Sequence, residues 1–259
     1  MPTLRLDLDS SLGGVFIGGL FSVMFYGFAC AQIVHYCRYY LQRDTPLVKA
    51  LVLSIWILDT AITVSDISIL WAFIVQGHGN PFALSVFSKM YELEYATTAV
   101  LIFMVQIFYI HGIWQLLGQM CSSSLKWAAT SLPMTLSLVS VVSAMVGIYV
   151  DSKHGWTISQ TLPASRAPTA IRVCAAAVAD VYLCIALTLA LRNRMTGFKH
   201  TDSLIQTLTA YVVNRGILTT TMQIVLLGTY MSSIKHNGLI WAIFHCAGAK
   251  VYSTSMLAV

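Results

Sequence analysis

Leu47–Val75 reads LVKALVLSIWILDTAITVSDISILWAFIV, and its only charged residues are Lys49, Asp59 and Asp66. About 20 apolar residues suffice for a helix to cross roughly 30 Å of hydrocarbon, so this run is long enough to span a bilayer with some tilt. A spanning segment must also satisfy its own backbone hydrogen bonds, which a helix does and a lipid-exposed strand edge does not. This one stretch therefore predicts a transmembrane helix, and the question becomes how many more there are.

Working outward, the same test finds runs at Leu12–Tyr36, Leu93–Leu117, Trp127–Val150, Ala170–Leu191, Leu204–Met231 and Gly238–Leu257, seven in all. No ten-residue alternation of the kind a barrel strand requires is present, so the class is all-α and polytopic. Composition agrees: 57% of the 259 residues are hydrophobic and 10% are charged, against about a quarter charged in soluble domains. The net charge of +5 comes from singly scattered basic residues, which form no stripe for nucleic acid and read as loop and interface residues.

The connections are short and punctuated by Gly, Pro, Asn or Ser, as at Asp44-Thr45-Pro46, Gly77-His78-Gly79-Asn80-Pro81, Cys121-Ser122-Ser123-Ser124 and Thr196-Gly197-Phe198-Lys199. The longest, Asp151 to Pro168, is too small for a domain, so residues 1–259 form one. Nothing ahead of the first span has the form of a removable signal peptide, and that span is expected to stay. Cys30, Cys174, Cys184 and Cys246 fall inside spans, with Cys37 and Cys121 just beyond two span ends. No outer disulfide framework is expected, and the boundary pair reads as plain thiols or palmitoylation sites. Asn80, Asn193, Asn214 and Asn237 all lack the N-glycosylation context.

Loop charge sets the expected orientation. Arg38, Arg43, Lys49, Lys126, Arg192, Arg194 and Lys199 cluster at the odd-numbered loops, against Arg5, Lys89, Lys153, Arg166, Arg172 and Lys235 on the other side. This slight bias puts the N-terminus outside and the C-terminus in the cytoplasm. Span length favours the plasma membrane over internal membranes.

Ionisable groups at membrane depth cost a few kcal/mol each, so each calls for a partner or a purpose. Asp59 and Asp66 share one helical face with Thr63 between them, Asp180 lies near the middle of the fifth span, Arg215 follows Asn214 in the sixth, and Lys250 sits in the seventh. Depth along antiparallel helices pairs Asp180 with Arg215 and Asp59 with Lys250. Two readings stay open for Asp59, Asp66, Asp180, Asn214, Arg215 and Lys250: structural bridges that fix helix register, or the lining of a polar cavity. Thr207, Tyr211, Asn214 and Thr221 follow one face of the sixth span, interrupted by Leu218; such hydroxyls also serve as interhelical glue. Glu92 and Glu94 read as solvated interfacial residues and the tryptophans mostly as an aromatic belt. The Gly14 to Gly18 spacing favours close helix packing.

Enzyme signatures are largely missing. The seven histidines form no metal-binding spacing, no G-x-S-x-G elbow exists, and Asp59 and Asp66 stand too far apart in sequence to chelate magnesium for prenyl transfer. No catalytic residue, metal or cofactor is therefore assigned. Thr201, Asp202 and Ser203 read as a helix cap. Lys250 raises the idea of a retinal Schiff base, for which the third span supplies no mid-membrane carboxylate.

The stretches Leu12-Gly13-Gly14-Val15-Phe16-Ile17-Gly18, Tyr26-Gly27 with Gln32, Trp56-Ile57-Leu58-Asp59-Thr60, Gly79-Asn80-Pro81 and Val105-Gln106-Ile107-Phe108 form a pattern. Gly197-Phe198-Lys199-His200-Thr201-Asp202-Ser203-Leu204-Ile205 is its most telling part, followed by Tyr211, Asn214, Gly216-Ile217-Leu218-Thr219 and Ala249-Lys250-Val251-Tyr252. Together they resemble a large fungal seven-helix membrane protein family of unknown function, abundant in mushroom-forming basidiomycetes. The resemblance implies seven helices with the N-terminus outside and the C-terminus inside, and it implies no activity. The chain departs from the pattern at Gly112, where arginine is usual, at Arg215, where a small residue is usual, and at Thr254, where asparagine is usual. Relatives also continue beyond this point into a polar cytoplasmic tail.

Three function classes remain. Seven spans with short loops suggest a receptor or sensor, although Ile110-His111-Gly112-Ile113-Trp114 is not the acidic-Arg-Tyr of rhodopsin-like receptors. Charges at depth suggest a transporter or lipid-handling protein, although no internal repeat appears. A membrane enzyme has only the unassigned aspartates in its favour. The expected partners are membrane lipids and a small apolar ligand.

Overall fold

A computed structural model describes residues 8–77, 86–118, 123–155, 157–194, 199–236 and 238–258. Among them stand eight α-helices: α1 (Leu8–Tyr39), α2 (Pro46–Trp71), α3 (Lys89–Leu117), α4 (Ser123–Lys153), α5 (Ile158–Ala164), α6 (Arg166–Arg192), α7 (Lys199–His236) and α8 (Trp241–Leu257). Pro46 opens α2 at a position where its missing N–H costs nothing, and a π turn, Ala72–Gln76, extends the helix. Ser88 caps α3 by accepting from the Met90 amide.

Among the described residues, six helical segments are long and apolar enough to cross a membrane: Leu12–Tyr39, Pro46–Gln76, Lys89–Leu117, Lys126–Lys153, Arg166–Arg192 and Asp202–Ile234. Helix α8 holds 17 residues and stands just short of them. The surface chemistry is inverted relative to a soluble protein. Phe28, Val34, Leu53, Val64, Val142 and Ile224 are exposed, while Asp59, Asp180 and Lys250 are 0% exposed. Within the spans, apolar side chains face outward and these charges face inward, as lipid demands. The chain is a multi-pass membrane protein of the all-α class.

Neighbouring helices pack in sequence order, and α8 closes the bundle by lying against α1, α2, α3 and α7. Its contact with α1 is a close one. A Cβ on Gly14 would stand 2.6 Å from the Leu239 carbonyl oxygen, and one on Gly18 would stand 3.0 Å from that of Ala242. The glycine spacing in the first span thus marks a true close approach of backbones.

Helix ends differ from the sequence reading in an informative way. Helix α1 continues to Tyr39, so Cys37 is an exposed helical residue rather than one beyond the span. Helix α7 begins at Lys199, which puts Asp202 in its first turn instead of ahead of it. The loop expected at Asp151–Pro168 holds the seven-residue α5, and its two ends belong to α4 and α6. Apolarity marks where lipid ends, whereas the helix ends where its backbone loses partners, and the two need not coincide. Pro81, Asn80, Cys121 and Gly197-Phe198 lie outside the described residues.

Candidate functional site

The buried polar groups form three levels along α8, each tying that helix to others. At its N-terminal end, His245 Nε2 lies 3.0 Å from Glu94 Oε2 of α3, and Thr98 donates to Glu94 Oε1 at 2.9 Å. Beside this pair, Asp66 accepts from Ser22 of α1 at 2.5 Å and, more weakly, from the Cys246 thiol at 3.7 Å. Tyr95 stacks on the His245 ring at 5.6 Å and Trp241 meets it edge-on at 5.7 Å. Arg172 stands over the far side of this aromatic group, 4.7 Å from the Tyr95 ring centre.

One turn further along, Lys250 uses all three ammonium protons. They go to Asp59 Oδ1 at 3.1 Å, the Asp59 carbonyl at 2.8 Å and Thr63 Oγ1 at 2.6 Å. Ser253 adds a hydrogen bond to Asp59 Oδ1 at 2.8 Å. Cation and carboxylate are both 0% exposed, so neither has access to solvent. Every N–H of this amine is therefore directed at an acceptor on α2.

The third level centres on Asp180 of α6. Tyr252 of α8 donates to its Oδ2, Gln106 of α3 donates to Oδ1 at 3.2 Å, and Gln223 of α7 donates to the Tyr252 hydroxyl at 3.1 Å. Arg215 stands off from this carboxylate at 4.0 Å and rests its guanidinium on the Tyr109 ring, 3.7 Å from the centroid. Its Nε and Nη2 have no hydrogen-bond partner among the described residues. Asp180 is thus held chiefly by neutral donors, with Arg215 supplying charge from a distance.

Of the six residues singled out in the sequence, the structure brings Asp59 to Lys250 and Asp180 near Arg215, and joins Asp66 to α1. Asn214 departs from the group: it is exposed, on the outer face of α7 with Thr207, Tyr211, Leu218 and Thr221. It sits one residue from Arg215, and about 100° of helical rotation per residue turns it out of the core. Glu94 departs in the other direction, being 1% exposed rather than interfacial. Trp241, at 3% exposure, belongs to the interior instead of the aromatic belt. His245, Gln106 and Tyr252 were not singled out as site residues. The seven-residue gap from His245 to Tyr252, which puts both on one face as it does for Asp59 and Asp66, was the available signal.

Among the described residues no group of three or more His, Cys, Asp or Glu side chains is placed to hold a metal ion. The cavities at the charged ties are small: about 40 Å³ beside Asp66, Glu94 and His245, and about 10 Å³ at each of two sites around Arg172. Such spaces hold a few waters at most.

Residues 176–259, which carry most of α6 with all of α7 and α8, match a family model. That family is described only as one of unknown function, DUF6534. No curated protein and no solved structure matches the chain. The matched part supplies Asp180, Arg215, His245, Lys250 and Tyr252, and so one side of each polar level.

Proposed function

We propose that this is a seven-span sensor or receptor-like protein, with the N-terminus outside, the C-terminus cytoplasmic and α8 as both its seventh span and its coupling element. At 17 residues α8 reaches about 26 Å, near the lower limit for crossing hydrocarbon. The observation that carries the reading is the convergence of buried polar ties on this one short helix. Its side chains bond to α2 through Lys250, to α3 through His245 and to α6 through Tyr252, while Gln32 of α1 and Gln223 of α7 bond to α8. A helix held by discrete hydrogen bonds in a tightly packed bundle has alternative registers rather than a continuum of positions, which is the property a two-state coupling element needs.

The closed geometry of the core argues against a solute pathway. A transporter places its substrate near the midplane between helices, and the spaces beside Asp66, Glu94, His245 and Arg172 have room for only a few waters. The reading is tested with protein in nanodiscs, by measuring hydrogen exchange across α7 and α8 while lipid fractions and then a heterotrimeric G protein are added. A ligand that alters protection in α8 and promotes coupling supports it. Ligand-independent α8 protection, together with solute or proton flux in vesicles that Asp59→Asn abolishes, replaces it with transport.

One observation favours a proton-relay reading as the second choice. Asp66 has no cation within ion-pair distance among the described residues, and it adjoins the cavity shared with Glu94 and His245. Unchanged proton movement in vesicles carrying Asp66→Asn removes that alternative.

A further inference from the structure

A large cavity among the described residues lies at the edge of the charged core. It is a groove of about 680 Å³ between α1 and α7, floored by α8 and open toward the lipid, within the size range of small-molecule sites. The sequence marks part of one wall, Tyr211, Asn214 and Arg215 of α7, but not the groove, whose opposite wall comes from α1, far away in the chain. Its two ends differ. Phe21, Phe25 and Phe28 of α1, with Leu218 and Met222 of α7, line the part beside Ile243 to Val251 of α8. Gln32, Asn214, Thr254 and Ser255 line the part toward the C-terminus of α8.

That polar end is incompletely satisfied. Asn214 is exposed, about 18 Å along α7 from Asp202, and its amide has no hydrogen-bond partner among the described residues. Gln32 donates through Nε2 to the Thr254 carbonyl at 3.1 Å, which leaves its Oε1 without a partner. A carboxamide facing hydrocarbon without a partner costs several kcal/mol, so the exposed Asn214 amide asks for a polar group from whatever fills the groove, while the Gln32 Oε1 left over beside it is buried.

The geometry points to a binding site for a neutral lipid alcohol, a hydroxyl head on an apolar body, entering from the bilayer with its head at Asn214 and Gln32. This assignment rests on the ligand-sensing reading and specifies its ligand. A hydroxyl both donates and accepts, which matches the exposed Asn214 amide, whose N–H pair donates and whose carbonyl accepts. Thr254 and Ser255 direct their own protons to the Lys250 and Tyr252 carbonyls at 2.7 and 3.0 Å, leaving oxygen lone pairs that disfavour a carboxylate. Arg215 borders the groove, but its guanidinium lies on Tyr109 and toward Asp180, inside the bundle. Its charge opposes an ammonium head without being presented to an anion. The floor of the site is the helix that carries Lys250 and Tyr252, so occupancy bears directly on the buried ties.

The test uses the full chain in phosphatidylcholine nanodiscs and three diazirine probes of equal chain length: a hexadecyl alcohol, the corresponding fatty acid and the alkane. Crosslinks are mapped by mass spectrometry. The alcohol is expected to label groove peptides of α1, α7 and α8 about tenfold more than either other probe, the factor of one or two neutral hydrogen bonds. Asn214→Leu, an exposed position whose change leaves packing intact, is expected to remove the preference while alkane labelling persists. Gln32→Leu serves as an independent second variant. Equal labelling by all three probes, or a preference that survives both variants, overturns the head-group assignment and leaves a lipid-occupied groove standing. Groove labelling no greater than that of the outer face of α4, around Val142 and Val146, overturns the site and the ligand-sensing reading with it.

Discussion

Asp59 and Lys250 illustrate why a buried ion pair is a matter of specificity more than of stability. Replacing one partner of such a pair leaves an uncompensated charge and costs about 3–5 kcal/mol, whereas replacing both with apolar groups is often neutral. Lys250→Met alone is therefore expected to lower the melting temperature in detergent sharply, and Lys250→Met combined with Asp59→Leu to recover most of the loss. A double variant as unstable as the single one contradicts the pairing. Glu94 and His245 differ because each retains other contacts: Thr98 holds Glu94, while Tyr95 and Trp241 hold the imidazole. His245→Phe keeps the ring packing, so its cost is that of the lost hydrogen bond and a stranded carboxylate, about 1–3 kcal/mol, read by the same melting assay. Sequence made Asp59 and Lys250 legible because each is far from any span end and their depths agree. Glu94 was illegible because it sits near a helix start, where solvation is the ordinary outcome. What buries it is the His245 side chain arriving from 151 residues away, which no local pattern announces.

At the scale of elements, the contact between α1 and α8 is the most constrained. Backbone approach at Gly14 and Gly18 leaves no room for a side chain, while a Cβ on Gly13 meets nothing within 4 Å. Gly18→Val is thus expected to destabilise the bundle by about 1–3 kcal/mol, the usual cost of overpacking, and Gly13→Val to have little effect. Equal melting temperatures for the two variants contradict the close approach. The helices themselves were legible because lipid imposes length and apolarity on each. Their faces were legible only in part: Asn214 and Arg215 are neighbours in sequence, yet Asn214 is exposed and Arg215 is 4% exposed with its guanidinium on Tyr109. Two mostly apolar helix faces in lipid give little periodic contrast, so composition does not say which one turns inward.

For the whole molecule, the arrangement of charge within and apolar residues without explains why 10% charged residues suffice for a chain of 259. Charges such as Arg38, Arg43, Lys153 and Arg192 stay exposed near helix ends, while Asp59, Asp66, Glu94, Asp180, Arg215 and Lys250 are buried and connect helices inside the bundle. The architecture then turns on α8, whose 17 residues are fewer than those of the six longer spans and whose side chains reach α2, α3 and α6. If α8 crosses the membrane, the number of spans is odd and the two termini lie on opposite faces; if it lies at one face, they share a side. The decisive measurement is protease protection of short epitope tags at the two ends of the chain in sealed vesicles of known orientation. The seven-span account predicts that one tag is cleaved and the other protected, with the C-terminal tag on the cytoplasmic side. Cleavage of both tags from the same side contradicts it.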